Sequence, residues 1–186
     1  MNDPKVDLSQ YDRGDYHPGR GLVIRVLWYG VNALLMDSWL CPVSSIKRLL
    51  LRVFGARVGR GVVIKPRVNI KYPWHLELGD HVWLGEGVWI DNLTTVRIAS
   101  NVCISQGAYL LTGNHDYKKS TFPLLVSGIS VEEGAWVGAN AVVCPGVTIG
   151  QGAVLCVGST LTSDAESMTV YQGNPATKIR QRDIVA

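Results

Sequence analysis

The amino-acid sequence predicts an all-β chain, coiled into a parallel solenoid from about Val58 to about Ser163. Three observations carry that prediction. The first is a period: Val131, Val137, Val143, Ile149, Leu155 and Leu161 follow at six-residue steps. Val58, Ile64 and Ile70 keep the same step, as do Leu78, Leu84 and Ile90, then Ile98, Ile104 and Leu110. The second is a small or β-branched residue four places on: Val62, Val68, Val82, Val88, Thr94, Val102 and Ala108 early, and Ala135, Ala141, Val147, Ala153 and Ser159 late. The third is glycine just ahead of that partner, as at Gly134, Gly146, Gly152 and Gly158. A period of six suits neither a helix nor an alternating strand. It suits a prism-shaped coil whose flat sides each turn one aliphatic side chain inward. Glycine then supplies the corner conformations that a Cβ disfavours.

The totals agree with one domain. A chain of 186 residues with 47% hydrophobic and 18% charged residues buries a sizeable core and is not disordered. Twenty glycines without a collagen period indicate many tight turns. A net charge of +3 is too small to argue for nucleic acid. The opening MNDPKVDLSQ lacks a basic stretch followed by an apolar one, so no signal peptide is read. Cys41, Cys103, Cys144 and Cys156 form no C-x-x-C pair, which fits free thiols in a reducing cytoplasm.

In chain order, residues 1–20 read as an extended arm. The apolar run from Gly21 to about Cys41 and the segment SSIKRLLLRVFG read as two helices, the second with Ser44 and Ser45 as candidate N-caps and a stop at Gly55. Arg25 and Asp37 are costly inside a membrane-spanning helix. The helices read as capping the open end of the solenoid or packing against another subunit, with two alternatives: lying on a membrane surface with Arg25, Lys47, Arg48 and Arg52 near anionic headgroups, or a spanning first helix. The domain boundaries read as 1–55 for arm and helices, 56–165 for the solenoid and 166–186 for the tail.

The interruptions point to function. The register slips by two residues after Ile70 and again after Ile90, and breaks between Leu110 and Val131. Solenoids expel extra residues as loops on one face, often the working one. The loop 111–130 contains TGNHDYKKSTFPLLVSG, with His115 near its start. Imidazole titrates near neutrality and suits general-base chemistry. Asp116 either orients His115 or caps the loop. His17, His75 and His81 read as structural or solvent-exposed, and no pair has metal-ligand spacing. Cys103, Cys144 and Cys156 read as small packing residues. Trp74, Trp83 and Trp89 read as core or subunit contacts.

The six-residue pattern resembles the hexapeptide-repeat acyltransferases, whose solenoid is a left-handed parallel β-helix. TGNHDY resembles the catalytic loop of their maltose and galactoside O-acetyltransferase branch, and YQGNPATKIR its closing turn and basic tail. The strings WIDNLTTVRIASNVCISQGAYLLTGNHDYK, PVSSIKRLLLRVFGA and KYPWHLELGD resemble the colanic acid, or exopolysaccharide, O-acetyltransferases. The resemblance covers about residues 40–182. It implies a homotrimer that binds acetyl-CoA as cosubstrate between neighbouring subunits, uses no metal, and acetylates a sugar or lipid-linked saccharide. His115 would be the base. Either Asp91 or Asn92 would place the acceptor, and Trp136 would stack on a sugar face. CoA would lie near Ala139, Val157, Thr162 and Ser163, with Lys178, Arg180 and Arg182 toward its phosphates. Serine or xenobiotic acceptors, or a zinc-binding or non-catalytic relative, are the alternatives.

Overall fold

Each six-residue step builds one short strand and one corner, so three steps return the chain to its starting side. The computed structural model describes residues 5–185. Arg57–Val58, Leu76–Leu78, Val96–Ile98, Ile129–Val131 and Thr148–Ile149 stack as a first face. Val63–Ile64, Trp83–Leu84, Cys103–Ile104, Trp136–Val137, Val154–Leu155 and Thr169–Gly173 stack as a second. Asn69–Ile70, Trp89–Asp91, Tyr109–Leu111, Val142–Val143 and Thr160–Leu161 form the third. All pairs within these stacks are parallel. The chain is the expected left-handed parallel β-helix with N-terminal helices.

Register converts the period into a core. Ile64, Leu84, Ile104, Val137 and Leu155 lie over one another on the second face and are buried. The small partners Val62, Val82, Val102, Ala135 and Ala153 are buried beside them. Thr94 is the exception. The insertion after Ile90 pushes it out of the coil, and Val96 fills the slot. Corners use the left-handed backbone region, with glycine at Gly61 and Gly87 and asparagine at Asn101 and Asn140. His81 holds such a corner, at φ 58°, which accounts for that histidine structurally.

The two helices cap the open end of the first coil. α1 (Leu22–Val31) runs into one wide π-helical turn, Asn32–Met36, and α2 is Ser44–Val53. Trp28 Nε1 donates to the Ile70 carbonyl at 2.8 Å, and Asn32 Oδ1 accepts from Ile70 N–H at 3.1 Å. Lys47 Nζ donates to Met36 O and Lys65 O, Arg48 to Val62 O, and Arg52 to Val58 O and Gly59 O. An uncapped coil would leave these carbonyls without donors. Ser44 and Ser45 were the candidate N-caps, and both lie within the helix. Val43 holds the cap position instead, and the Ser44 hydroxyl accepts from Ile64 N–H and donates to Ile64 O. No helix among the described residues is long and apolar enough to cross a membrane.

The insertions all leave the corner between the third and first faces, as 71–75, 92–95 and 112–128. At the far end, Thr169–Gly173 adds a strand beyond Ala165, and Ala176–Gln181 returns antiparallel after a cis Asn174–Pro175 bond. Arg182 Nη1 donates to the Gly134 and Gly152 carbonyls, both at 2.9 Å.

Candidate active site

His115 ends the first strand of a small antiparallel hairpin, Gly113–His115 with Leu124–Val126, that carries the largest insertion. Its ring stacks on Phe122 with centroids 4.3 Å apart and planes 9° apart. Phe122 sits at φ 46°, and its carbonyl oxygen lies 3.1 Å from His115 Nδ1. A carbonyl can only accept, so Nδ1 carries a proton, and in the neutral ring the lone pair lies on Nε2. The N-terminal arm lies along the same loop. Asp7 N–H donates to Ser120 O, Asp12 N–H to Thr121 O, and Leu124 N–H to Asp12 O. That path brings the Tyr11 ring to 5.9 Å from the imidazole. Asp116 turns away from the ring, accepting from Lys118 N–H at 3.2 Å and lying 3.7 Å from Lys119 Nζ, so these contacts close the loop.

One coil earlier, Asp91 and Asn92 divide. Asn92 is buried, and its amide stitches the insertions together, accepting from Tyr72 N–H at 2.9 Å and donating to Tyr72 O at 2.7 Å. Asp91 is half-buried. Its Oδ1 lies 2.8 Å from Lys71 Nζ, an ion-pair contact without hydrogen-bond geometry, and its Oδ2 accepts from Tyr109 Oη at 3.4 Å. Burial first, and the Asp91 charge second, push the Tyr109 phenol up to about 12. Trp89 stacks on Tyr109 at 4.5 Å and 16° and stays half-exposed. A cavity of about 410 Å³ opens beside this platform, between α1 and the third face, lined by Arg25, Tyr29, Lys71, Tyr72 and Trp89 among others. A carboxylate, a cation and a flat aromatic pair are groups that bind polyhydroxylated rings.

The remaining candidates stand elsewhere on the prism. Trp136 faces outward on the second face and donates from Nε1 to Ser105 Oγ at 2.8 Å. A cavity of about 610 Å³ below it is lined by Lys65, Trp83, Glu86, Cys103 and Gln106, with others. Trp83 faces outward there, whereas Trp74 packs against the core. Ala139 and the exposed Val157 share the corner between second and third faces, linked by Gly158 N–H to Ala139 O at 2.9 Å. Thr162 and Ser163 are exposed where the last coil leaves the third face. Lys178 pairs with Glu166 at 2.5 Å, Arg180 is exposed, and Arg182 donates from Nη1 to the backbone carbonyls described above. Within one chain, then, His115 and Asp116 lie on the loop side and Trp136, Ala139 and Val157 on other edges. The four cysteines are unpaired thiols, and burial pushes Cys144 up.

Comparison with known proteins shows the family. Residues 128–163 match the family model of the bacterial transferase hexapeptide (six repeats). WcaF of Escherichia coli (strain K12), an inferred colanic acid biosynthesis acetyltransferase, is 40% identical over 177 residues, spanning 95% of this chain and 97% of its own. The chain belongs to the hexapeptide-repeat acetyltransferases. A second member, the galactoside O-acetyltransferase of E. coli (strain K12), is 30% identical over 140 residues, covering 71% of this chain and 66% of its own. The solved structure of the hexapeptide-repeat acetyltransferase VCA0836 from Vibrio cholerae O1 biovar eltor, complexed with acetyl-CoA, superposes with a TM-score of 0.80 at 21% identity, over 95% of this chain and 98% of that one.

For a hexapeptide-repeat acetyltransferase, the repeat and the histidine loop were visible in sequence, but the groups around His115 and Asp91 were not. Phe122 and Pro123 were an apolar pair in a polar loop, a faint signal for a packed turn. Tyr11 and Lys71 had none, because the arm and the first insertion reach the site only through the fold.

Proposed function

We propose that this chain is an O-acetyltransferase that moves the acetyl group of acetyl-CoA to a sugar hydroxyl of an exopolysaccharide precursor of the colanic-acid kind, with His115 as general base. The observation that supports this reading is the hydrogen bond from His115 Nδ1 to the Phe122 carbonyl, which makes Nε2 the proton acceptor of the neutral ring. In the reaction, the acceptor hydroxyl gives its proton to Nε2 as its oxygen attacks the thioester carbonyl carbon. The tetrahedral adduct then collapses. The C–S bond breaks, and the leaving sulfur takes the proton back from the imidazolium, giving the acetyl ester and CoA thiol. No covalent enzyme intermediate is required.

Asp91 is the better candidate to hold the acceptor, since the Asn92 amide is used by Tyr72. The Trp89–Tyr109 pair would carry the sugar ring beside it. Asp116 acts through the loop rather than on the imidazole. Trp136 would meet the acceptor from a second subunit, and Ala139, Val157, Thr162 and Ser163 would border CoA in a homotrimer. Arg180, and Lys178 when released from Glu166, would face the CoA phosphates. The names of WcaF and of the galactoside enzyme support a saccharide acceptor, and the acetyl-CoA complex of VCA0836 supports the donor. A lipid-linked saccharide would bring the enzyme to the inner membrane face.

The test is a thiol-release assay with acetyl-CoA against a panel of sugar nucleotides and lipid-linked oligosaccharides. Loss of a general base costs about 10²–10⁴-fold. His115→Ala is expected to fall by that much while its circular dichroism and oligomeric state persist. Wild-type turnover in the variant would sink the assignment.

A further inference from the structure

The N-terminal helices are built inside out. In α2, Ser44, Lys47, Arg48 and Arg52 point their polar atoms at the solenoid, where each bonds the backbone of the first coil or of Met36. The opposite stripe, Ile46, Leu49 and Val53, is exposed, Val53 by 70%. α1 does the same with Trp28 inward and Val23 and Tyr29 outward, 72% and 76% exposed. Trp39 and Leu40, in the connection, are 61% and 77% exposed. A soluble helix ordinarily buries its apolar stripe and wets its polar one. Both helices cover the same end of the solenoid, so the outer stripes make one apolar end surface of a kind that marks an interaction site.

Charge identifies the occupant. Between residues 21 and 67 there are eight lysines and arginines against one acid, Asp37, a net of +7. The whole chain is +3, so the remainder is −4. Lys65 and Arg67 on the first coil are exposed beside the apolar patch, whereas the exposed Arg57 and Arg60 near α2 pair with Glu77 and Asp80. A second copy docking on this end would set the exposed cations of one surface, Lys65 and Arg67 among them, against the same cations of the other. An anionic bilayer meets both properties, since its headgroups attract the cations and its acyl boundary accepts the apolar side chains. Exposed Tyr29 and Trp39 are the ring types that settle at that boundary.

We propose that the outer surface of α1, α2 and their connection docks on an anionic lipid bilayer, lying in the interface without crossing it. The proposal stands apart from the acetyl-transfer reading, because vesicle binding needs no substrate. It gives that reading a consequence: a lipid-linked acceptor would be met at the surface that holds it.

The full-length protein is sedimented with extruded vesicles of phosphatidylcholine alone and of a roughly 3:1 mixture with phosphatidylglycerol, whose charge draws basic segments. Binding to the anionic vesicles, weakened by salt and much lower on phosphatidylcholine, is expected. Val23→Glu and Leu49→Glu change exposed side chains that no catalytic role uses. Each should lower the bound fraction by roughly tenfold or more, with melting temperature and acetyl transfer to a soluble acceptor unchanged. No binding to anionic vesicles, or equal binding by both variants, overturns the proposal. So does a self-association that the same substitutions abolish, which would make a second copy the occupant.

Discussion

Asp91 and Asn92 are chain neighbours with different duties, and the difference is measurable. Asn92 gives both amide groups to Tyr72 in a buried setting. Asn92→Ala would leave a backbone N–H and C=O unpaired, at a cost of about 2–4 kcal/mol in chemical denaturation. Asp91→Asn keeps the shape but loses the charge, so stability should hold while the apparent KM for the acceptor rises roughly tenfold. The opposite pattern, a destabilised Asp91→Asn with normal KM, would return Asp91 to a structural role. His115 was legible in the sequence because its loop interrupts a strict period and carries a recognisable string. The carbonyl that sets its tautomer was not, because a backbone atom has no letter. The choice between Asp91 and Asn92 was equally hidden, since it turns on which side chain the insertion at Tyr72 consumes.

At the scale of elements, periodicity revealed the coils but not the attitude of the helices. An amphipathic pattern in SSIKRLLLRV locates a stripe, but it does not say which side of the stripe meets the protein. The open first coil decides it, since carbonyls without a neighbouring coil need donors. Lys47 is the extreme case, fully buried with its ammonium on Met36 O and Lys65 O. Lys47→Met should cost about 1–3 kcal/mol through those two carbonyls. Burial also lowers the Lys47 pKa from 10.5. Between the lowered value and 10.5 the unfolded chain binds more protons than the native one, so this residue makes stability rise with pH in that window. Melting of wild type and Lys47→Met from neutral to alkaline pH should show that the wild-type curve gains relative to the variant. Parallel curves would show that Lys47 does not titrate differently in the native state. The coils carry a simpler test. A Cβ on Gly85 would stand 2.5 Å from Gln106 N in the next coil, so Gly85→Ala should destabilise by about 1–3 kcal/mol.

The whole molecule sets the hardest constraint, because a prism keeps its edges apart. His115 leaves the corner between third and first faces, and Ala139 sits at the corner between second and third. A rigid core of buried aliphatic columns lies between the edges, so no modest motion brings these corners together within one chain. If both border one acetyl-CoA, they must do so from different subunits of the proposed trimer. That arrangement predicts complementation. Ala139→Trp places a bulky ring at a half-exposed corner, where the fold tolerates it and the CoA groove does not. Homotrimers of Ala139→Trp and of His115→Ala should each be inactive. In trimers refolded from an equal mixture, a site works when one subunit supplies the histidine and the next supplies the open corner. With random assembly that combination arises at about a quarter of the interfaces, so activity should return to about a quarter of wild type. If both residues served the same site from one chain, every mixed trimer would stay inactive, since each subunit carries one of the two lesions. Recovery would therefore locate the site between subunits, and continued silence would return it to a single prism.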